Sequence, residues 1–240
     1  AVLKSVNAEK VGTWLTFDIN DMYVFAHAGI GWILAEAGHG DRRFRQAVFL
    51  ASLIPDIDGL SLLFGYQAYG NYHDRITHSI PFGVIVMMFA AIYCRKYRLK
   101  AMAFAALAYM SHLIGDFFLS GWPIALWYPF GRVEIESSNG IWLGHPINHI
   151  LNAISVACLI WMGWRFKRTP FEVLSVNMDQ RICNLLFRNK PLSCAYCGKK
   201  TNEQCTSCGK PVCSRHVPLA LDFAVKCEQC KKSVEQGDPD

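Results

Sequence analysis

Residues 101–119 read Ala-Met-Ala-Phe-Ala-Ala-Leu-Ala-Tyr-Met-Ser-His-Leu-Ile-Gly-Asp-Phe-Phe-Leu. An apolar run of this length predicts a helix, because strands seldom exceed about eight residues. His112 and Asp116 stand four apart and so share one helix face. A carboxylate in such a run is expensive unless it is paired or bound to a cation. This one stretch therefore announces both an apolar helix and an imidazole–carboxylate set within it.

Four further apolar stretches, 22–38, 47–64, 79–94 and 147–164, surround it. All five run 16 to 19 residues, against roughly 20 needed to cross a bilayer core upright. Apolar residues make up 52% of the 240 and charged residues 18%, which excludes a disordered chain, a coiled coil and a collagen-like fibre. Residues 1–21 lack the apolar core of a secretory signal. The expected fold is mainly α: a membrane-associated bundle of about five helices with a small C-terminal double-zinc finger. The expected divisions are an N-terminal segment 1–21, a bundle 22–165, a connector 166–190, a zinc-binding module 191–233 and a tail 234–240.

Basic residues separate the ends of that bundle. Arg42, Arg43 and Arg45, then Arg95, Lys96, Arg98 and Lys100, then Arg165, Lys167 and Arg168 follow the first, third and fifth stretches. The alternate connections carry only Arg75 and Arg132. If each stretch crosses once, this asymmetry predicts a multi-pass protein with its basic end in the cytoplasm. Trp122, Trp127, Tyr128 and Trp142 fall at the other end, where an aromatic belt would sit. The connector spaces Phe171, Val173, Leu174, Met178, Ile182, Leu185 and Leu186 as an amphipathic helix that either caps the bundle or lies on the membrane.

Seven of the eight histidines lie in the first 150 residues. With antiparallel stretches, His27, Asp56, Asp58, His73, His78, His112, Asp116, His145 and His149 all fall toward the end away from the basic connections. Such segregation is not expected of scattered core histidines. A mixed His/Asp set suits one or two divalent ions, zinc or manganese, and hydrolytic metal chemistry. No G-x-S-x-G elbow, P-loop or strand-linked G-x-G-x-x-G is present, which counts against serine hydrolase, NTPase and Rossmann readings.

His27, Pro55-Asp56-Ile57-Asp58, His73-x-Arg75-x-Thr77-His78-Ser79, Ser111-His112-x-x-x-Asp116 and Tyr128-Pro129-Phe130 together resemble the LexA-regulated, membrane-bound metal-dependent hydrolases over about 22–165. Asp74 stands where that family usually has an Arg directly after His, and Arg75 follows one residue later. The family is in turn similar to the helical zinc-dependent phospholipase C and nuclease group. The resemblance implies a phosphoesterase-like hydrolase working through metal-activated water. Arg75 would then stabilise charge on a phosphoryl oxygen, and Thr77 would orient a ligand.

Seven of the ten cysteines fall in the pattern Cys194-x2-Cys197-x7-Cys205-x2-Cys208-x4-Cys213-x2-His216-x10-Cys227-x2-Cys230. Four pairs at two-residue spacing offer eight donors, enough for two closed tetrahedral zinc sites of structural type. The order resembles B-box and AN1 cross-brace fingers. That implies one zinc on Cys194, Cys197, Cys213 and His216, and another on Cys205, Cys208, Cys227 and Cys230; sequential pairing satisfies the spacing equally. Free thiolates suit the reducing cytoplasm. Seven Lys/Arg against six Asp/Glu over 191–240 argue against nucleic acid binding through the finger, leave it open as a substrate, and favour a protein partner of the finger. Membrane lipid is the other expected partner. Besides the hydrolase, two functions compete: a metal-ion or proton carrier using the intramembrane His and Asp, and a membrane-anchored adaptor built on the finger.

Overall fold

The computed structural model describes residues 23–65, 67–69, 73, 75–121, 123–131, 133–139, 141–142, 144–187, 192–205, 208–217, 225 and 227–230. The expected N-terminal segment and tail, Asp74, Trp122 and Arg132 lie outside them. The described helices are α1 (Tyr23–Ala37), α2 (Arg42–Leu53), a 3-10 helix (Pro55–Phe64), α3 (Ile80–Tyr93), α4 (Arg98–Leu119), α5 (Pro146–Phe166), a second 3-10 helix (Pro170–Val173) and α6 (Val176–Phe187).

The second apolar stretch differs most from its expected form. Its helix begins at Arg42, with the Asp41 carboxylate accepting from the Phe44 N–H, so three arginines assigned to a connection lie on helix. It ends at Leu53, because Pro55 has no N–H to continue the ladder. The chain resumes as a 3-10 helix bent by 55°. That bend carries Asp56 and Asp58 toward α4.

The core is built on small residues. Ala101, Ala105, Ala108, Tyr109 and Leu113 form one buried stripe of α4, packed with Trp32, Phe44 and Val48. The same stripe continues into His112 and Asp116, both buried. Helix periodicity thus aims these two side chains inward with the alanines. α1 packs on α2, α4 and α5, and glycines permit the approach. A Cβ at Gly31 would meet Ser52 Oγ at 1.9 Å, and one at Gly29 would meet Ser155 Cβ at 2.8 Å.

α4 and α5, of 22 and 21 residues, are long and apolar enough to cross a membrane. The bent pair Arg42–Leu53 plus Pro55–Phe64 is a third if it counts as one span, and Ile80–Tyr93 is a shorter apolar helix. Many apolar side chains of α3, α4 and α5 face outward. The described molecule is mainly helical, with two or three membrane-capable helices and C-terminal Cys/His clusters.

The connector is not one helix. It forms the Pro170–Val173 3-10 turn and then α6, and its burial differs from that of a cap: Glu172, Asp179, Gln180 and Cys183 are buried, whereas Leu174, Leu185 and Leu186 are 72%, 80% and 62% exposed. The buried polar groups belong to a clamp. Arg45 reaches Glu172 Oε1 at 2.7 Å, Arg168 donates to Glu36 at 2.8 Å and to the Asn202 carbonyl at 3.0 Å, and Gln180 donates to the Leu192 and Thr201 carbonyls. Lys96 donates to the Val217 carbonyl, and the Arg42 N–H to Glu203. All three basic clusters therefore touch the C-terminal module, at one end of the bundle.

Candidate metal centres

Asp56, His78, His112 and Asp116 each offer a donor atom within 4.8 Å of the others. The two Nε2 atoms are 3.3 Å apart, and His112 Nε2 lies 2.9 Å from Asp116 Oδ2 and 3.4 Å from Asp56 Oδ1. His78 Nε2 is 3.2 Å from Asp116 Oδ2. Donors about 2.05 Å from a tetrahedral zinc would stand about 3.3 Å apart. The separations suit one ion.

Hydrogen bonding supports the same conclusion. His112 Nδ1 lies 2.7 Å from the Ser52 carbonyl, which can only accept, so that nitrogen carries the proton. His78 Nδ1 lies 3.1 Å from Asp58 Oδ2. In its neutral form each ring would turn an Nε2 lone pair inward, as metal-ligating histidines do. Asp56 Oδ2 and Asp116 Oδ2 are buried without a hydrogen bond, although Asp116 Oδ2 is close to both rings, because the bonding geometry is missing. Facing lone pairs beside orphaned carboxylate oxygens fit a cation.

Other expected residues surround this tetrad. His27 Nε2 lies 3.1 Å from Asp116 Oδ1, and its ring stacks on His112 with centroids 3.8 Å apart. Asp58 bridges His73 and His78, at 2.9 and 3.1 Å. Thr77 donates to the Pro55 carbonyl at 2.7 Å, tying the His78 loop to the bend. Arg75 does not face the tetrad: half exposed, it pairs with Glu134 at 3.4 Å. His145 and His149 stay outside as well. His145 caps α5 by accepting from the Ile147 N–H, and His149 is exposed.

Sequence reasoning overlooked Tyr109. Its hydroxyl lies 2.5 and 2.7 Å from the Thr77 and Ser79 carbonyls and holds the His78 loop. Gly83 leaves the room, since a Cβ there would meet the Tyr109 ring at 2.6 Å. Its place on the α4 stripe was the available signal. The Ser52 carbonyl offered none. Asp56 opens the tetrad to solvent: its side chain is 30% exposed, against 0% and 1% for His112 and His78.

In the C-terminal module, alternate pairs come together, with Cys194, Cys197, Cys213 and His216 in one group and Cys205, Cys208, Cys227 and Cys230 in the other. Cys197 and Cys213 Sγ are 3.7 Å apart, as are Cys208 and Cys227. His216 Nδ1 stands 3.5 Å from Cys194 Sγ and 3.4 Å from Cys213 Sγ. A disulfide would require about 2.05 Å, whereas Zn–S bonds of about 2.3 Å place sulfurs about 3.8 Å apart. Gly198 and Gly209, at φ +69° and +70°, make the two knuckle turns, where a side chain would be strained. Burial alone would raise the Cys194 thiol, but the N–H groups of Tyr196, Cys213 and Cys197 pull it down to about 6. Cys227 is likewise held at about 6 against burial, led by the Cys230 N–H. Both favour thiolate, the form that binds metal. The module's buried core is small: Val212, Val217 and Val225 with Cys205 and Cys227. Cys94 and Cys183 are buried apart from both groups, and Cys158 is half-buried.

No curated protein and no solved structure matches the chain. A family model does, that of the YdjM inner membrane protein, over residues 22–178. The match runs past the expected bundle end at 165, through the Pro170–Val173 turn into α6. With the buried His/Asp tetrad and the membrane-capable helices inside that range, the chain belongs to the YdjM inner membrane protein family.

Proposed function

We propose that this protein is a membrane-bound metal-dependent hydrolase that cleaves a phosphoester through metal-activated water. The observation that carries this reading is the convergence of Asp56, His78, His112 and Asp116 with lone pairs inward and one side open to solvent. A divalent ion bound there would lower the pKa of a coordinated water and act as a Lewis acid. The chain's own residues do the rest. Ser52 and Asp58 hold the two imidazoles in the tautomer that presents Nε2. Asp116 spans two roles, one oxygen toward the tetrad and the other on His27. Asp56, at the opening, is placed to accept a proton from an entering water.

The tetrad lies toward the end of α4 away from the C-terminal module, about 21 Å from Arg98 by helix rise. A site at one end supports hydrolysis over a carrier, which needs polar groups through the full depth. Extensive docking of the finger onto the bundle supports a bracing role over a free adaptor arm. The module and basic clusters, sharing one end, are assigned to the cytoplasm.

The test is metal content and hydrolysis by the full chain in detergent. Wild type should hold about three equivalents of divalent metal, and His112→Ala about two, with the zinc of the finger retained. Wild type should hydrolyse members of a phosphodiester panel, and His112→Ala should not. Equal metal content in both proteins would refute the centre. Bound metal without turnover of any phosphoester would refute the reaction.

A further inference from the structure

A cavity of about 570 Å³ opens between the start of α2, the turn before α6 and the first zinc knuckle. Arg42, Lys199 and Lys200 line it with Leu174, Ser175, Val176 and Asn177, and no carboxylate does among the described residues. Both lysines are exposed. The Arg42 guanidinium bonds two backbone carbonyls, of Glu172 and Val173, so its charge is held in place without being neutralised by a carboxylate.

The surroundings indicate what such a cavity meets. Phe187 of α6 packs on Gly163, in the last turn of the membrane-capable α5. That places α6 at the level where a spanning helix leaves the bilayer. Asp179, Gln180 and Cys183 are buried in the clamp, while Leu185 and Leu186, 80% and 62% exposed, are at the surface, as are Leu174 and the polar Asn177, Arg181 and Asn184. Leucines turned to water are costly, whereas leucines turned to acyl chains beside an arginine at headgroup level are not. Leu174 also lines the cavity, so apolar surface and fixed positive charge adjoin.

We propose that this junction is a binding site for an anionic phospholipid: its phosphate seats among Arg42, Lys199 and Lys200, and its acyl chains lie on Leu174 and the outer face of α6. The site is separate from the His/Asp tetrad and independent of any hydrolytic role. It would lock the first zinc knuckle to the membrane surface.

Binding of dioctanoyl-phosphatidylglycerol, dioctanoyl-phosphatidylcholine and inorganic phosphate to the full chain in detergent, followed by native mass spectrometry, tests it. Wild type should prefer phosphatidylglycerol over phosphatidylcholine by about a hundredfold, since each of the three basic residues near an anionic headgroup contributes about fivefold. The Lys199→Gln/Lys200→Gln protein, whose changes lie on exposed side chains, should keep its zinc and lose that preference. Arg42→Gln should weaken it in the same direction. The proposal is overturned if wild type does not discriminate between the two lipids, or if the double variant discriminates as well as wild type. It is also overturned if inorganic phosphate binds as tightly as phosphatidylglycerol, which would make the cavity a site for a free anion.

Discussion

At the scale of single residues, the tetrad depends on side chains that stand behind its four donors. Asp58 holds the Nδ1 proton of His78 and so aims Nε2 inward. Asp58→Asn should therefore weaken metal binding at the bundle site by about tenfold to a hundredfold while leaving finger zinc in place. Competition with a chromophoric chelator would measure it, and unchanged affinity would remove Asp58 from this role. His112 and Asp116 were legible because helix spacing alone puts them on one face. His145 has the same sequence character, yet it caps a helix. Arg75 matched a motif but meets Glu134 instead of the tetrad. Spacing says which side chains share a face; it does not say what lies opposite.

Among the elements, α6 shows how a pattern can be legible while the surface it meets, bundle or membrane, stays open. The apolar residues do recur at helical spacing, but Asp179, Gln180 and Cys183 are the residues buried. Asp179 accepts from the Thr169 N–H at 2.7 Å, from the Thr169 hydroxyl and from the Asn202 amide, joining α6 to both its neighbours. Burial nevertheless pushes its carboxyl up from 3.8 to about 6. A raised carboxyl favours the fold fully below about pH 4, and that contribution is lost as pH rises through about 6. Asp179→Asn has no such titration. Its unfolding free energy relative to wild type, followed by denaturant titration, should therefore climb between pH 4 and 6 and level off above, by at most about 3 kcal/mol. A flat difference across that window would show that Asp179 does not titrate there.

For the whole molecule, the clamp makes the finger part of the fold. Arg45 and Glu172 are almost fully buried, at 2% and 1% side-chain exposure. Removing one partner of such a pair strands the other charge, so Glu172→Ala should cost about 3 to 5 kcal/mol. Thermal unfolding followed separately in the bundle and the finger should show both halves losing stability together. Destabilisation confined to the finger would mean the two fold independently.

Run length and composition by themselves marked a mainly helical, membrane-associated chain, and the Cys-x2-Cys pairs marked ligand sets suited to zinc, because those signals are local: they repeat within a turn or two of chain. The alternate pairing of the knuckles, the 55° bend that brings Asp56 to α4, and the burial of Asp179, Gln180 and Cys183 on α6 were decided only in three dimensions. Their partners lie far apart in sequence, 60 residues between His112 and Ser52 and 161 between Arg42 and Glu203. A periodic pattern carries no record of which distant group will be there to accept the bond.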